Sequence, residues 1–306
     1  MAKIVIITGA TATGKTDISI QLAKIIDGEI ISADSMMVYK YMDIGTAKPS
    51  LEERQNIPHY LIDIKEPNEI FSAKEFIELA DRHIKKIQKK GKVPIVVGGT
   101  WLYIQALLYG LSKAPKANWS LRRELYRFST EELFERLVKI DQSYAKKIHK
   151  NDKKRIIRAL EVFYLTGKPF SNFIKEHSFK NRRYDFIGFN ITREKKEIEN
   201  RIEKRVFNMI QKGLVEELKN LIDMGYKKAI TSSQAIGYKE LLPYLEKKQS
   251  LEESIQDIIK NTKLFAKRQI KTLKKKEDLI PINLTDRGSQ EALQGIVKTI
   301  QKEVRT

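Results

Sequence analysis

Eight consecutive residues, Gly9-Ala10-Thr11-Ala12-Thr13-Gly14-Lys15-Thr16, match the pattern G-x-x-x-x-G-K-[ST]. Glycines at both ends let the backbone N–H groups of the loop turn inward around a phosphate. A helix beginning at the loop adds positive potential, Lys15 can reach a terminal phosphate, and Thr16 can bind magnesium. Such a loop holds a diphosphate or a nucleotide such as ATP, and the pattern alone does not say which. A second reactive group is Asp34, which follows the apolar run Ile30-Ile31-Ser32-Ala33. A carboxylate at the end of a strand can act as a general base, bind magnesium, or simply close a turn. Arg205 falls at the edge of the apolar stripe Ile198, Ile202, Val206, Met209. Its guanidinium is therefore either paired with a glutamate at the core boundary or aimed into a site.

These groups need elements to position them. Lys3–Thr8 reads as a buried strand, followed by a helix whose apolar side is Ile18, Leu22, Ile25 and Ile26. Glu29–Ala33, Tyr60–Ile64, Val93–Val97, Asp185–Ile191 and Leu279–Leu284 read as further strands, and Ser72–Lys90 as a helix. Short apolar strands alternating with helices predict an α/β fold with a P-loop NTPase-like parallel sheet and helices on both faces. In such a sheet the carboxyl ends of the strands form the ligand crevice, which puts Asp34 and the phosphate loop in the same place. From 113 to 183 the strand signals give way to helical patterns at Leu121–Phe128, Glu131–Ile140 and Lys153–Leu165. The expected organisation is a core of residues 1–112 plus 184–306, interrupted by a helical insertion domain at 113–183.

Charge supports the same division. The chain has 306 residues, 58 Lys plus Arg against 39 Asp plus Glu, and a formal charge of +19. Residues 113–183 carry 19 basic and 8 acidic groups, residues 260–276 carry 8 basic and none acidic, and the remainder balances to zero. A surface charged merely for solubility would not need that concentration, whereas a polyanion-binding surface would. Lys260, Lys263, Lys267, Lys271 and Lys274 recur at helical spacing, giving a basic stripe ~20 Å long. A nucleic-acid partner is the expectation. The chain has no cysteine and four histidines, which excludes disulfides and thiolate nucleophiles and argues against a zinc enzyme. The apolar run Ile4–Ile7 is too short for a membrane span or the core of a signal peptide, so a soluble cytoplasmic protein is expected.

With these features in place, the chain resembles the tRNA dimethylallyltransferases, also called tRNA isopentenyltransferases. The resemblance runs in order through the phosphate loop, Asp34-Ser35 with Tyr39, Met42 to Pro49, Pro58 to Asp63, and Gly98-Gly99-Thr100 before Leu102-Tyr103. It continues through Ile148-His149, Asn151-Asp152, Arg155 to Val162, Arg201 to Arg205, Ala235 to Lys239, and Ala266-Lys267-Arg268-Gln269. The family implies a transfer of the dimethylallyl group of dimethylallyl diphosphate to the exocyclic amine of the adenosine 3′ to the anticodon, with diphosphate leaving. It implies Asp34, Thr11, Lys15 and Arg205 as catalytic residues, Gly9 to Thr16 around the diphosphate, and Mg²⁺ with Thr16 as its ligand. It implies tRNA contacts at Asp34, Ser35, Met36, Met37, Thr100, Arg122, Lys154, Arg155, Ile156, Ile157, Arg158, Gln234, Ala235, Ile236, Gly237, Tyr238 and Lys239. The expected partner is the anticodon stem-loop of tRNA, and a monomer is expected. Three positions depart from the family pattern. Met37 stands where Gln is frequent and Trp101 where Gly is frequent, and Lys271-Thr272-Leu273-Lys274 replaces a stretch that usually contains a stacking aromatic.

Other functions share parts of this sequence. An adenylate isopentenyltransferase acting on free AMP, ADP or ATP would use the same loop and base, with little use for the basic insertion. A P-loop kinase or ATPase would hold magnesium through an aspartate after a third strand, a part open to Asp63. A non-catalytic RNA-binding module would leave the phosphate loop without a purpose.

Overall fold

The computed structural model describes residues 3–179, 181–229 and 232–305. Its contacts divide the chain into two compact units, 1–108 with 183–306 and 109–182. The insertion boundaries expected from composition lie within a few residues of these.

The first unit begins with β1 (Ile4–Gly9), every residue of which is buried, then α1 (Lys15–Ile25) and β2 (Gly28–Ser32). Next come β3 (His59–Tyr60), α2 (Ala73–Lys89), β4 (Val93–Gly98) and α3 (Trp101–Tyr109). The second unit holds α4 (Trp119–Tyr126), α5 (Thr130–Ile140), α6 (Gln142–Ala145), α7 (Lys153–Thr166) and α8 (Phe170–His177). The chain then returns to the first unit with β5 (Phe186–Thr192), α9 (Lys195–Gln211), α10 (Leu214–Asp223) and α11 (Tyr238–Leu245). It closes with α12 (Leu251–Leu273), β6 (Leu279–Asn283) and α13 (Leu284–Arg305), kinked at Gly288. None of the described helices is long and apolar enough to cross a membrane.

The six strands form one sheet in the order β3-β2-β4-β1-β5-β6, with every pairing parallel. β1 and β2 are consecutive in the chain, yet β4 lies between them, so the carboxyl ends of β1, β2 and β4 open on one crevice. One face of the sheet buries Val5, Ile7, Ile95 and Phe189 against Ile18 and Leu22 of α1 and Ala292 and Ile296 of α13. Local signals start the helices: Ser72 caps α2, and Ser250 with Glu253 forms a reciprocal capping box on α12.

Two elements differ from the sequence reading. Ile25, the last residue of α1, is 54% exposed rather than core, whereas its neighbour Ile26 packs against the core. The strand expected at Tyr60–Ile64 stops at Tyr60, since Leu61 and Asp63 both adopt positive φ. Leu61 and Ile62 still become buried, but in a turn rather than a ladder, while Ile64 is left exposed.

The second unit has its own core, in which Leu125, Leu133, Leu137, Ile156, Ile157 and Leu160 pack together. At its centre Glu161, with no exposed side-chain surface, accepts from Asn118 N (2.6 Å), from Arg122 Nε and Nη2 (2.9 Å each) and from Arg158 Nη1 (2.5 Å). Burial opposes its ionisation, but the hydrogen bonds from Arg122 and Arg158 outweigh that and hold the carboxyl below its ordinary range.

Candidate active site

The phosphate loop is held open from outside. Ala12 and Gly14 adopt positive φ, and Gly14 is the residue before α1. A Cβ on Gly9 would stand 2.4 Å from the Ile191 carbonyl oxygen, so no larger residue fits where β1 and β5 end together. The carbonyls that face away from the loop are tied down by arginines. Arg201 Nε donates to Ala12 O (2.8 Å), and Arg193 Nε donates to Thr13 O (2.9 Å). Each such bond fixes a peptide plane and so the direction of the opposite N–H. On the inner side Thr11 N donates to Gln269 Oε1 (2.9 Å), and Gln269 Nε2 donates to Gly99 O (3.0 Å). Gln269 of α12 therefore joins the loop to the turn after β4.

Lys15 Nζ donates to Ala10 O (2.7 Å). Burial is the largest influence on it and pushes its pKa down to about 8, against the pull of Asp34 and with the repulsion of Arg205. Arg205 is also lowered by burial, with Asp34 opposing. The three charges thus share one field. Arg205 touches Thr46 O at 3.4 Å, and among the described residues no carboxylate lies within ion-pair distance of it. Of the two roles the sequence left open, the geometry favours the one in which Arg205 faces a ligand.

Asp34 follows β2 directly. Its Oδ1 accepts from Met36 N (2.8 Å) and Met37 N (3.3 Å), which fixes the side chain, while Oδ2 takes no donor among the described residues. Gly98 permits this approach: a Cβ there would stand 2.2 Å from Ala33 O. Thr100 Oγ1 accepts from Ser35 N (3.2 Å), joining the turns after β2 and β4.

These groups line a single cavity of about 460 Å³, which reaches from Thr11, Lys15 and Thr16 past Asp34 and Arg205. Its apolar wall includes Val97, Val206, Met209, Ile258 and Phe265. Phosphate-binding donors at one end, a carboxylate in the middle and an apolar lining suit a ligand with an anionic head and a hydrocarbon tail.

The cavity gathers most of the residues expected from the sequence: Ser35, Met36, Met37, Thr100, Gln234, Ala235, Ile236, Gly237 and Lys239 all line it. Tyr238 does not. It is buried, and its hydroxyl donates to Glu217 Oε1 (2.6 Å). In the second unit Lys154 and Arg155 are exposed. Ile156 and Ile157 are core residues whose side chains have nothing to offer a ligand, because the helix turns them inward beside Leu160. Arg122 and Arg158 are committed to Glu161. Asp63 is ion-paired with buried Lys48, which also holds Asp43, so it is not free to serve as the magnesium carboxylate of a kinase. Lys263 of the basic stripe is paired with Glu203, and the other four lysines are exposed.

Sequence reasoning missed Glu217 and Arg193, and met Gln269 only as part of a motif. Glu217 of α10 accepts from Asp43 N (2.8 Å), Ile44 N (2.8 Å) and Gly45 N (3.1 Å) as well as from Tyr238. It thereby clamps the turn that presents Thr46 to Arg205 against the segment that carries Gln234 to Gly237. A glutamate three residues into an amphipathic helix carries no local mark of that task.

An all-parallel sheet with a phosphate loop on its central strand, a carboxylate across the crevice and an apolar cavity between them defines a P-loop α/β protein for a phosphate-bearing ligand. The model of the IPP transferase family matches residues 37–276, and the chain belongs to that family. It is 58% identical to a tRNA dimethylallyltransferase of Sulfurihydrogenibium sp. (strain YO3AOP1) over 98% of both chains. It is 50% identical to one of Aquifex aeolicus (strain VF5) over 99% of both. Among solved structures it resembles the tRNA isopentenylpyrophosphate transferase of Bacillus halodurans, with TM-score 0.76 and 38% identity over 100% of this chain and 97% of that one. It also resembles a eukaryotic dimethylallyltransferase acting on tRNA, with TM-score 0.85 and 31% identity over 100% of this chain and 80% of that one.

Proposed function

We propose that the chain transfers the dimethylallyl group of dimethylallyl diphosphate to the exocyclic amine of the adenosine 3′ to the anticodon in tRNA. The observation that carries this reading is one cavity lined by the phosphate loop, Asp34, Arg205 and an apolar wall. The diphosphate sits on Gly9 to Thr16, and the isoprenoid tail lies along the apolar wall. The amine nitrogen attacks the allylic carbon, a C–N bond forms, and the carbon–oxygen bond to diphosphate breaks. The electron pair leaves on the diphosphate, where Lys15 and Arg205 meet the growing charge, and Thr11 is placed in the same loop. The amine proton passes to Asp34, whose Oδ2 is available while Oδ1 is held by the turn. To reach the cavity the adenine leaves the stack of its loop, which an unpaired loop base can do at modest cost.

Mg²⁺ fits the residues present. No group of three or more histidine or acidic side chains among the described residues forms a metal cage. An ion bound mainly by diphosphate oxygens and water needs only a hydroxyl such as that of Thr16, which lines the cavity. Bound there it would neutralise charge on the leaving group. The reading is of a cytoplasmic monomer, with exposed Lys154 and Arg155 in the second unit and the α12 lysines in the first contacting RNA phosphates.

The test is to offer radiolabelled dimethylallyl diphosphate with either tRNA or AMP. Label should enter tRNA, and Lys15→Ala should cut turnover by two or more orders of magnitude, a loss of about 3 kcal/mol of charge stabilisation. Equal or better labelling of AMP replaces this reading with that of an adenylate isopentenyltransferase.

A further inference from the structure

Trp101 has no task in the transfer, yet its place is closely specified. It opens α3 immediately after Gly98-Gly99-Thr100, all three of which line the cavity. Thr100 locks this point to the turn of Asp34, through Ser35 N to Thr100 Oγ1 (3.2 Å) and Thr100 N to Ala33 O (3.3 Å). The indole Nε1–H donates to Gln105 Oε1 one turn along (3.1 Å), which fixes the plane of the ring.

The ring is not filling the core. Trp101 is half-buried, the ammonium of Lys276 lies 4.9 Å from the ring centroid, and the next residue, Leu102, is 60% exposed. Lys271, Lys274 and Lys275 are exposed at the end of α12 and just after it, on the segment that leads to Lys276. A tryptophan kept only for packing would bury its large ring under apolar side chains. Here it is held rigid directly after the Gly98-Gly99-Thr100 wall of the cavity, with a cation over it and more cations on the same segment. Aromatic faces among cations are how proteins grip unpaired nucleotides, the base stacking on the ring while the cations meet the backbone.

We propose that Trp101 is a stacking platform for an unpaired nucleobase adjacent in the RNA chain to the base that enters the cavity, with Lys276 and its neighbouring lysines meeting the intervening phosphates. The proposal rests on the reading of the chain as an RNA-modifying enzyme. Drawing one base from a stack leaves its neighbour without a partner, and the indole replaces that partner. The lock between Thr100 and Ser35 sets the platform at a fixed offset from Asp34, so the neighbour, once stacked, holds its adenine in register with the proton-accepting carboxylate.

The chain has two tryptophans, Trp101 and Trp119, so Trp119→Phe leaves Trp101 as the sole indole reporter. An unmodified anticodon stem-loop RNA titrated into that variant should quench the fluorescence, saturating at the concentration given by anisotropy of the labelled RNA. Trp101→Ala should weaken stem-loop affinity by about 5- to 150-fold, the range seen when stacking aromatics are removed, and Trp101→Phe should recover most of it. Affinity for dimethylallyl diphosphate should be unchanged in both. RNA that binds without altering the Trp101 fluorescence, or binds Trp101→Ala as tightly as the parent, overturns the platform and leaves the transferase reading standing. A parent protein that binds no stem-loop overturns both.

Discussion

Lys15 makes the affinity for the donor depend on pH, with a sign and size set by its surroundings. Burial holds its pKa at about 8, so in the free protein the ammonium is lost as pH rises through that value. A bound diphosphate places negative charge against it and restores the proton, so only the protonated form binds well. With a free-protein pKa of 8, raising pH from 7 to 9.5 should weaken donor affinity about 30-fold, approaching tenfold per unit at the alkaline end. The diphosphate is already fully ionised over most of that range and contributes little. The assay is calorimetric titration with dimethylallyl diphosphate and magnesium in the absence of RNA, which keeps chemistry out of the measurement. Lys15→Arg retains its charge throughout and should give a flat profile from a weaker starting affinity. A flat profile in the wild type, or the same decline in Lys15→Arg, would refute the assignment of Lys15 to the diphosphate.

Asp34→Asn should keep donor affinity within a few fold while turnover falls by about 10²–10⁴, since the amide still accepts the Met36 and Met37 amides at Oδ1 but cannot take a proton; collapse of magnesium-dependent donor binding would instead make Asp34 a metal ligand. Glu217→Ala strands three backbone amides and the Tyr238 hydroxyl, so stability should drop by about 2–3 kcal/mol and the donor Michaelis constant should rise as the turn beneath Arg205 loosens; an unchanged melting temperature and Michaelis constant contradict the clamp. Glu161→Ala leaves Arg122 and Arg158 without their carboxylate at a cost of about 3–5 kcal/mol, and hydrogen exchange should report lost protection in α4 and α7 but not in β1 or β4. If about five to eight cations meet RNA phosphates, log affinity should fall against log salt with a slope near −4 to −7, and a slope near zero removes the electrostatic footprint. Charge reversal belongs at Arg155, not at Arg158, because Arg158 is already spent on Glu161.

What the sequence disclosed was whatever is written in consecutive residues or in period. The phosphate loop is one contiguous motif, and Asp34 is legible because an apolar run ends on it. Gln269 and Glu217 act across more than 150 positions of chain, and nothing near either of them in sequence marks the partner. Counting charge located the basic insertion but overstated its free cations, since a single buried glutamate ties up two arginines. The inward turn of Ile156 and Ile157 is legible in their helical spacing with Leu160, whereas the motif they share with Arg155 and Arg158 does not separate inward from outward residues. The turn at Leu61 has no local mark, because Leu61 and Ile62 suit a ladder as well as a turn, and Asp63 of that turn pairs with distant Lys48.

The second unit leaves the first after Leu108 and returns at Arg183, and those two residues are hydrogen-bonded to each other, Arg183 N to Leu108 O at 2.7 Å. Arg183 adds bonds to Leu107 O and Asp81, all within the first unit. The stem is thus stitched shut by residues that belong to the sheet core, and the closure does not depend on what is spliced beyond it. Loop-closure entropy grows only with the logarithm of length. A lineage could therefore lengthen, shorten or exchange everything from 109 to 182 and leave the strand order and the chemistry of the crevice untouched. The second unit can drift while the crevice stays as it is, as a handle can be changed without regrinding the blade.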